Sequence, residues 1–116
     1  MLAVGAVSET NNRSSFSNTG RHIGLVAPGS NILSTLPTQR SAYRADTAYA
    51  SWSGTSMATP HVAAAAGLLM AKRPNSKPAD VKARLRKTAH KLPGMKGRDW
   101  TQEYGDGLLD VKRALS

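Results

Sequence analysis

Ser56 lies in a stretch of sequence that can support nucleophilic chemistry. The stretch reads GTSMATPH over residues 54–61 and leads into a run of small and apolar residues, VAAAAGLLM, over 62–70. This pattern predicts a tight turn at Gly54 and Thr55, followed by a helix that begins near Ser56. A helix N-terminus exposes unpaired backbone N–H groups and about half a positive charge. A serine there stands beside a site for an oxyanion, although serine is also a common structural residue at helix N-termini.

The residues around Ser56 fit the same interpretation. Gly54 lets the backbone turn and approach closely without a Cβ atom. Pro60 is expected in the first helical turn or just past it, where a missing N–H costs little. His61 is the nearest candidate base, but five residues along a helix leave it about 140° from Ser56 around the axis. We therefore expect His61 to be a packed structural histidine.

The remaining histidines offer no base with a recognisable motif. His22 falls in a polar loop and His90 falls on a predicted basic helix, so both are expected to face solvent. A serine nucleophile needs a base that takes its proton and a carboxylate that orients that base.

The motif around Ser56 resembles the nucleophile motif of the subtilisin-like serine proteases, the subtilases. The resemblance continues in family order through most of the chain, with VGAV at 4–7, FSNTG at 16–20, APG at 27–29, ILST at 32–35 and YGDGL at 104–108. It implies that Ser56 attacks the scissile carbonyl of a peptide or protein substrate. It also implies that the Ser56 backbone N–H contributes to the oxyanion hole, with Gly54, Thr55, Met57 and Pro60 supporting the motif.

The resemblance also implies catalytic residues that are absent from this 116-residue sequence. In subtilases the catalytic Asp, the catalytic His and an Asn of the oxyanion hole occur in earlier blocks, none of which is present here. The chain is thus expected to be one partial catalytic domain over residues 1–116, the C-terminal portion of a subtilisin-like three-layer α/β fold with a largely parallel sheet. A missing N-terminal half that carries Asp, His and Asn is the implied partner.

The elements that must position Ser56 can be predicted from hydrophobic patterning. Strands are expected over 1–7, 23–27 and 32–36, the first of them apolar on both faces as in a parallel sheet. Helices are expected from about 56 to 72, from about 76 to the stop at Pro93 and Gly94, and over 111–115 after an Asp110 N-cap. The loop over 8–21 is expected to be anchored by Phe16, and Trp100 is expected to be a packing anchor.

Residues 38–53 are predicted to form an exposed hairpin that returns to Gly54. The segment carries Tyr43, Tyr49 and Trp52 among charged residues. Two interpretations stay open, a tolerated surface insertion and a contact with substrate beside the nucleophile.

The charge of the chain is concentrated in one segment. Sixteen Lys and Arg residues oppose seven acids, a net charge of +9. Residues 72–98 hold ten of the basic residues and one acid, Asp80. The segment is either a solvated helix face or a nucleic-acid patch, and the lack of an aromatic residue within it argues against single-strand binding.

Composition excludes several classes of protein. No run of about 18 apolar residues is present, which argues against a membrane span, and there is no cysteine for disulfides or thiolate sites. The N-terminal stretch lacks the basic region of a signal peptide, while the family resemblance implies an extracellular or secreted protein. Asp99, Glu103, Asp106 and Asp110 fit no calcium-loop spacing, so neither a metal nor a cofactor is expected.

Three hypotheses follow from the sequence. The leading one is the C-terminal segment of a subtilisin-like serine endopeptidase that is inactive without its missing half. The second is a non-catalytic remnant or a module that docks a complementary half. The third is a basic nucleic-acid-binding module. Because the helix after Ser56 is apolar almost all round, the chain is also expected to depend on a partner or to self-associate.

Overall fold

The computed structural model describes residues 1–37 and 48–116. The elements of this part of the chain are β1 Ala3–Val7, β2 Ile23–Pro28, β3 Ile32–Thr35, β4 Tyr49–Trp52, α1 Thr55–Lys72, α2 Pro78–Lys87, a 3₁₀ turn Pro93–Met95 and α3 Val111–Leu115. The α/β class predicted from the sequence is confirmed. Residues 38–47 of the predicted hairpin, including Tyr43, lie outside the described residues. Of the helices that are described, none is both long enough and apolar enough to cross a membrane.

The strands β1 and β2 form a parallel pair that is buried on both faces. Val4 lies opposite Leu25, and Ala6 lies opposite Ala27. These four residues pack into one apolar cluster with side chains of α1, α2 and α3. The alternate residues Val7 and Val26 pack into a second cluster, with Leu92, Met95 and Tyr104. Two clusters on opposite faces explain why both strands are continuously apolar.

The helix α1 packs on the parallel strand pair along one narrow stripe of side chains. Ala58, Val62, Ala65 and Leu69 are buried and follow each other at helical spacing. Two of the four are alanine, which lets the helix axis approach the sheet closely. The rest of the helix surface is far more exposed, so within the described residues α1 is buried along this stripe and not all round.

Two further pairings complete the strand arrangement. The backbone N–H of Val26 donates to the Gly107 carbonyl at 2.9 Å, and that of Leu109 donates to the Val26 carbonyl at 2.9 Å. Residues 107–109 therefore extend the sheet beyond β2. The strands β3 and β4 pair antiparallel, with Ile32 opposite Trp52 and Thr35 opposite Tyr49. For residues 48–53, the predicted return to Gly54 is confirmed.

The second helix is shorter than the sequence predicts. It begins at Pro78, where Asp80 Oδ2 accepts a hydrogen bond from the Lys77 N–H at 3.0 Å, and it ends at Lys87. The expected stop at Pro93 and Gly94 is wrong. His90 leaves the helix path because its backbone pairs with Leu108, through N···O distances of 2.7 and 2.8 Å. His90 is exposed, as expected, but it does not lie on a helix.

The last helix, α3, has the predicted cap. Asp110 Oδ1 accepts a hydrogen bond from the Arg113 N–H at 2.9 Å. A carboxylate at this position satisfies one of the N–H groups that a helix leaves unpaired. Trp100, an expected packing anchor, is half-buried, and its Nε1–H donates to the Ile23 carbonyl at 3.0 Å.

The loop over 8–21 is held by serines and not by its aromatic residue. Phe16 is 45% exposed, which contradicts its predicted role as an anchor. Instead, Ser17 Oγ accepts from the Ala6 N–H at 2.8 Å, and the Ser14 N–H donates to the Ala6 carbonyl at 3.0 Å. The loop thus satisfies backbone groups at the edge of β1, and that role needs polar atoms.

Three basic residues of the 72–98 segment converge on the C-terminal end of α3. Lys72 Nζ donates to the Leu115 carbonyl, and Arg73 Nη2 donates to the main-chain oxygen of Ser116 at 3.2 Å. Arg84 donates to the carbonyls of Ala114 and Arg113 and to the main-chain oxygen of Ser116, at 2.8–3.2 Å. Cations favour the negative end of a helix, so these side chains fasten α3 to α1 and α2.

Other basic residues of the segment make similar internal ties. Lys82 Nζ donates to the Met1 carbonyl at 2.9 Å, and Arg86 Nε pairs with Asp106 Oδ2 at 2.5 Å. Lys91 Nζ donates to the carbonyls of Asp99 and Asp106. Much of the positive charge therefore holds elements of the chain together, and the expectation of a merely solvated face is incomplete.

The three hydrogen bonds from Arg84 to the C-terminal end of α3 lead to a stability prediction. Replacing Arg84 by Met keeps most of the side-chain volume but removes all three hydrogen bonds, and we expect a loss of about 1–2 kcal/mol in the free energy of unfolding. Lys87→Met, at an exposed position of the same helix, is the matched control and should change the value by less than about 0.5 kcal/mol. Urea denaturation of the three proteins measures the difference. Equal effects of the two substitutions would contradict a stabilising role for the Arg84 hydrogen bonds.

Candidate active site

Ser56 is an exposed side chain in the first turn of α1. It is the second residue of the helix, which begins at Thr55 directly after Gly54. Gly54 has an extended backbone and supplies no side-chain cap to the helix. The sequence-predicted turn into a serine-bearing helix is therefore present, one residue from its expected start.

The approach to Ser56 is fixed by the turn that follows β2. The Gly54 N–H donates to the Gly29 carbonyl at 2.7 Å, and the Asn31 N–H donates to Ser53 Oγ at 2.9 Å. These two hydrogen bonds tie Ser53 and Gly54, the residues directly before the helix, to residues 29–31. The end of β2 thus sets where α1 begins.

The closest backbone contact in this region occurs at Gly29. A Cβ atom there would lie 2.6 Å from Ala6 Cβ and 2.7 Å from the Gly54 carbonyl oxygen. At Gly54 itself the nearest atom to a Cβ would be Met57 Sδ at 3.3 Å, the end of a flexible side chain. The steric demand that the sequence suggested for Gly54 is therefore greater at Gly29. The APG block at 27–29 was the sequence signal for this position.

The first turn of α1 leaves the Ser56 N–H without an acceptor among the described residues. The first N–H of the helix that finds an intrahelical partner is that of Met57, which donates to the Gly54 carbonyl at 3.0 Å. An unpaired N–H at the positive end of an 18-residue helix can stabilise a negative oxygen. The Ser56 hydroxyl and an N–H that can stabilise a negative oxygen thus belong to the same residue.

Pro60 lies just past the first turn of α1, within the range that the sequence predicts. It is the sixth residue of the helix, at the second turn. The Ser56 carbonyl consequently lacks the N–H four residues on that would normally pair with it. The cost is reduced because this end of the helix is exposed at both residues.

Two motif residues support the turn in different ways. Thr55 is half-buried; its carbonyl accepts from Thr59 Oγ1 at 3.0 Å, while Asn18 Nδ2 lies 3.5 Å from its Oγ1. Met57 is half-buried and lines the same cavity as Ser56. This cavity has a volume of about 320 Å³ and lies between α1 and β3, with Leu33, Pro60 and His61 also in its wall.

The described residues place no base-and-carboxylate pair beside Ser56. His61 lines the same cavity, but its Nδ1 lies 2.9 Å from the Met57 carbonyl, at a bonding distance within the helix. It is half-buried, in agreement with the expected packed histidine. His22 is exposed, and no acidic side chain is among the residues that line the cavity.

The acidic residues near the end of the chain have other partners. Asp106 pairs with Arg86, and Asp110 caps α3. Over residues 1–37 and 48–116, no group of three or more His, Cys, Asp or Glu side chains could hold a metal ion.

An exposed serine at the N-terminus of a helix that packs on a parallel strand pair is an arrangement that can serve a hydrolase, and comparison with known proteins gives the family. The model of the subtilase family matches residues 1–107. The chain belongs to the subtilase family.

Curated relatives match almost the whole chain. Subtilisin E of Bacillus subtilis is 43% identical over 113 residues, which make up 97% of this chain and 26% of the relative. Subtilisin of Bacillus pumilus is 42% identical over 113 residues, covering 97% of this chain and 36% of the relative. The chain therefore spans between about a quarter and slightly more than a third of the length of these relatives.

Solved structures confirm the subtilisin-like fold. Fervidolysin from Fervidobacterium pennivorans, described as a keratinolytic enzyme related to subtilisin, has a TM-score of 0.87 and 31% identity, over 98% of this chain and 18% of that chain. MycP1 from Mycobacterium smegmatis has a TM-score of 0.80 and 26% identity, over 99% of this chain and 29% of that chain.

The contact at Gly29 leads to a second prediction. Gly29→Ala forces the Ala6 side chain or the Gly54 backbone to move, and we expect a loss of about 1–3 kcal/mol in the free energy of unfolding. Gly67→Ala is the matched control, because a Cβ at Gly67 meets nothing within 4 Å. In the interior of α1 this control should raise stability by about 0.5–1 kcal/mol. Thermal and urea denaturation measure both. A neutral Gly29→Ala would contradict the proposed steric constraint.

Proposed function

We propose that this chain is the nucleophile-bearing part of a subtilisin-like serine endopeptidase, with Ser56 as the nucleophile. The observation that carries the proposal is the exposed Ser56 hydroxyl beside an unpaired N–H at the start of α1. In the reaction, Ser56 Oγ forms a bond to the carbonyl carbon of a peptide, while the hydroxyl proton passes to a base. The tetrahedral oxyanion then collapses, the amine leaves with that proton, and water later releases the acyl group.

The proposal needs a base for Ser56 from elsewhere. Among the described residues, His61 is the one histidine that lines the cavity; its Nδ1 lies 2.9 Å from the Met57 carbonyl, and no hydrogen bond joins its ring to Ser56. By the family resemblance, the base His, its Asp and the oxyanion-hole Asn belong to an earlier part of the catalytic domain. We propose that a complementary segment carrying these three residues completes the site, and that the 116-residue chain alone is inactive.

The substrate and location follow from the family alone. We propose a peptide or protein substrate for the complete enzyme, and we propose that it acts outside the cell as a secreted protease. The cavity between Ser56 and β3 is lined mostly by apolar side chains, which suits contact with the side chains of a peptide.

A second candidate function is a non-catalytic remnant or docking half. It is favoured by the same gap in the site, since an inert chain and a half-enzyme differ only in whether a partner supplies the base. A nucleic-acid-binding module is less supported, because Arg84, Arg86, Lys82 and Lys91 already bind groups within the chain. Phosphate binding would have to compete with those contacts.

Reconstitution tests the proposal and forms the third prediction. The chain alone should not hydrolyse a peptide anilide, because a serine hydroxyl without a base is a weak nucleophile. Adding the part of Bacillus pumilus subtilisin that precedes its matched region should produce turnover and labelling of Ser56 by a fluorophosphonate probe.

Matched variants separate the hypotheses. In the reconstituted mixture Ser56→Ala should lower the rate by roughly 10⁴-fold or more, while Ser15→Ala, at an exposed loop position, should leave it unchanged. Turnover by the isolated chain that disappears in Ser56→Ala would show that the base lies within these 116 residues. A reconstituted complex that forms and stays inert would favour the non-catalytic docking half.

A further inference from the structure

A cavity with charged walls lies beside the second apolar cluster, on the face of the parallel pair opposite α1. Its volume is about 380 Å³, and Tyr104 of that cluster forms part of its wall. Three cationic side chains line it, those of Arg13, Lys96 and Arg98, together with one acidic side chain, Glu103. Three positive charges and one negative charge give the wall a sum of +2. We call this space the Arg13 cavity.

The three cations of the Arg13 cavity have no carboxylate partner. In the part of the chain that the structure describes, the one ion pair joins Arg86 to Asp106. Glu103 lies within salt-bridge distance of none of the three cations, although it shares the cavity wall with them. These cations therefore differ from the Lys and Arg side chains that hold α3 and the segments near it, because their charges are not used within the chain.

Arg13 is the cation that the fold holds most firmly. Its side chain is half-buried, its backbone N–H donates to the Tyr104 hydroxyl at 3.0 Å, and its Nη2 donates to the Ser17 carbonyl at 3.1 Å. Its Nε is shielded from solvent, and no acceptor among residues 1–37 and 48–116 pairs with it. A guanidinium that is already ordered loses little conformational freedom when an anion binds, so the cost of binding is low.

The opposite wall of the Arg13 cavity is a tight turn. The backbone N–H groups of Lys96 and Arg98 each donate to the carbonyl three residues earlier, at 3.0 Å, and Lys96 has a φ of 52°. At Gly94 the turn packs on Tyr104 so closely that a Cβ atom would lie 2.6 Å from the hydroxyl oxygen. The same hydroxyl accepts from the Arg13 N–H. Tyr104 thus fixes the two cationic walls relative to each other.

We propose that the Arg13 cavity is a binding site for a doubly charged oxyanion of the phosphate or sulfate type. Guanidinium and ammonium groups bind such oxygens through charge-assisted hydrogen bonds, which are stronger than neutral ones. A wall with a sum of +2 favours a dianion over acetate or chloride, because the attraction grows with the product of the charges. The site uses neither Ser56 nor the cavity beside it, so the proposal does not rest on the proposed function.

Inorganic phosphate is the probe, and its binding forms the fourth prediction. The titration is made at about pH 8, where phosphate is mainly the dianion, and at constant ionic strength balanced with chloride. Phosphate should shift, saturably, the NMR signals of the Arg13 Nε–H and of the backbone amides of residues 95–98. Acetate should bind about threefold or more weakly, since it carries a single charge.

Substitutions at the cavity wall distinguish a site from general attraction to a basic protein. Arg98→Gln should weaken phosphate binding about threefold or more. Arg113→Gln removes the same charge at an exposed position outside the cavity, and it should leave the affinity within about 1.5-fold. Glu103→Gln removes the one acidic group of the wall and should tighten binding about twofold or more. Arg13→Gln should abolish the saturable shifts.

Because Arg13 also anchors its loop, the two exposed positions of the wall keep the test independent of folding, and circular dichroism checks each variant. Equal weakening by Arg98→Gln and Arg113→Gln would show attraction to net charge alone and would overturn the site. Unchanged or weaker binding by Glu103→Gln, or shifts confined to other residues, would overturn it as well. Acetate that binds as tightly as phosphate would overturn the assignment to a dianion.

Discussion

The close contact between the end of β2 and the start of α1 is the constraint on which the rest of the structure depends. Gly29 lies against Ala6 and Gly54 with no room for a side chain, and its carbonyl accepts from the Gly54 N–H. The contact brings the first turn of α1 to the end of the parallel pair. Alanines along α1 continue the close approach, so the position of Ser56 follows from backbone packing and not from contacts of its own side chain.

The positive charge of the chain has a structural use that its composition conceals. Arg84 and its neighbours satisfy carbonyl groups at the end of α3, a helix of five residues that has little stability of its own. A carbonyl at a helix C-terminus needs a donor, and a long cationic side chain can reach it while its charge stays near water. Charge density on a sequence thus does not by itself identify a binding surface.

The two apolar clusters bury some surfaces of the elements around them and leave other apolar surfaces exposed. The clusters around β1 and β2 bury their own strands, yet the outer face of α1 and one edge of β1 remain uncovered in the described residues. The site shows the same division, since the described residues hold an exposed serine and an unpaired N–H at a helix start but no base beside them. The open surfaces and the incomplete chemistry both agree with a chain that spans only part of the length of its relatives.

The sequence alone determined the features that depend on local chemistry. The apolar run of β1, the alanine-rich helix after Gly54 and the Asp110 cap depend on residues within one or two turns of each other, so their patterns predict them. The family resemblance rests on such local blocks, and it pointed to Ser56.

Tertiary structure decided the features that depend on distant backbone. His90 leaves the helix because it pairs with Leu108. The loop before β2 is joined to the edge of β1 through Ser14 and Ser17, while Phe16 stays exposed. Gly29 matters because Gly54, 25 positions later, returns to it. Periodicity within a single segment contains no information on which remote carbonyl its backbone will meet.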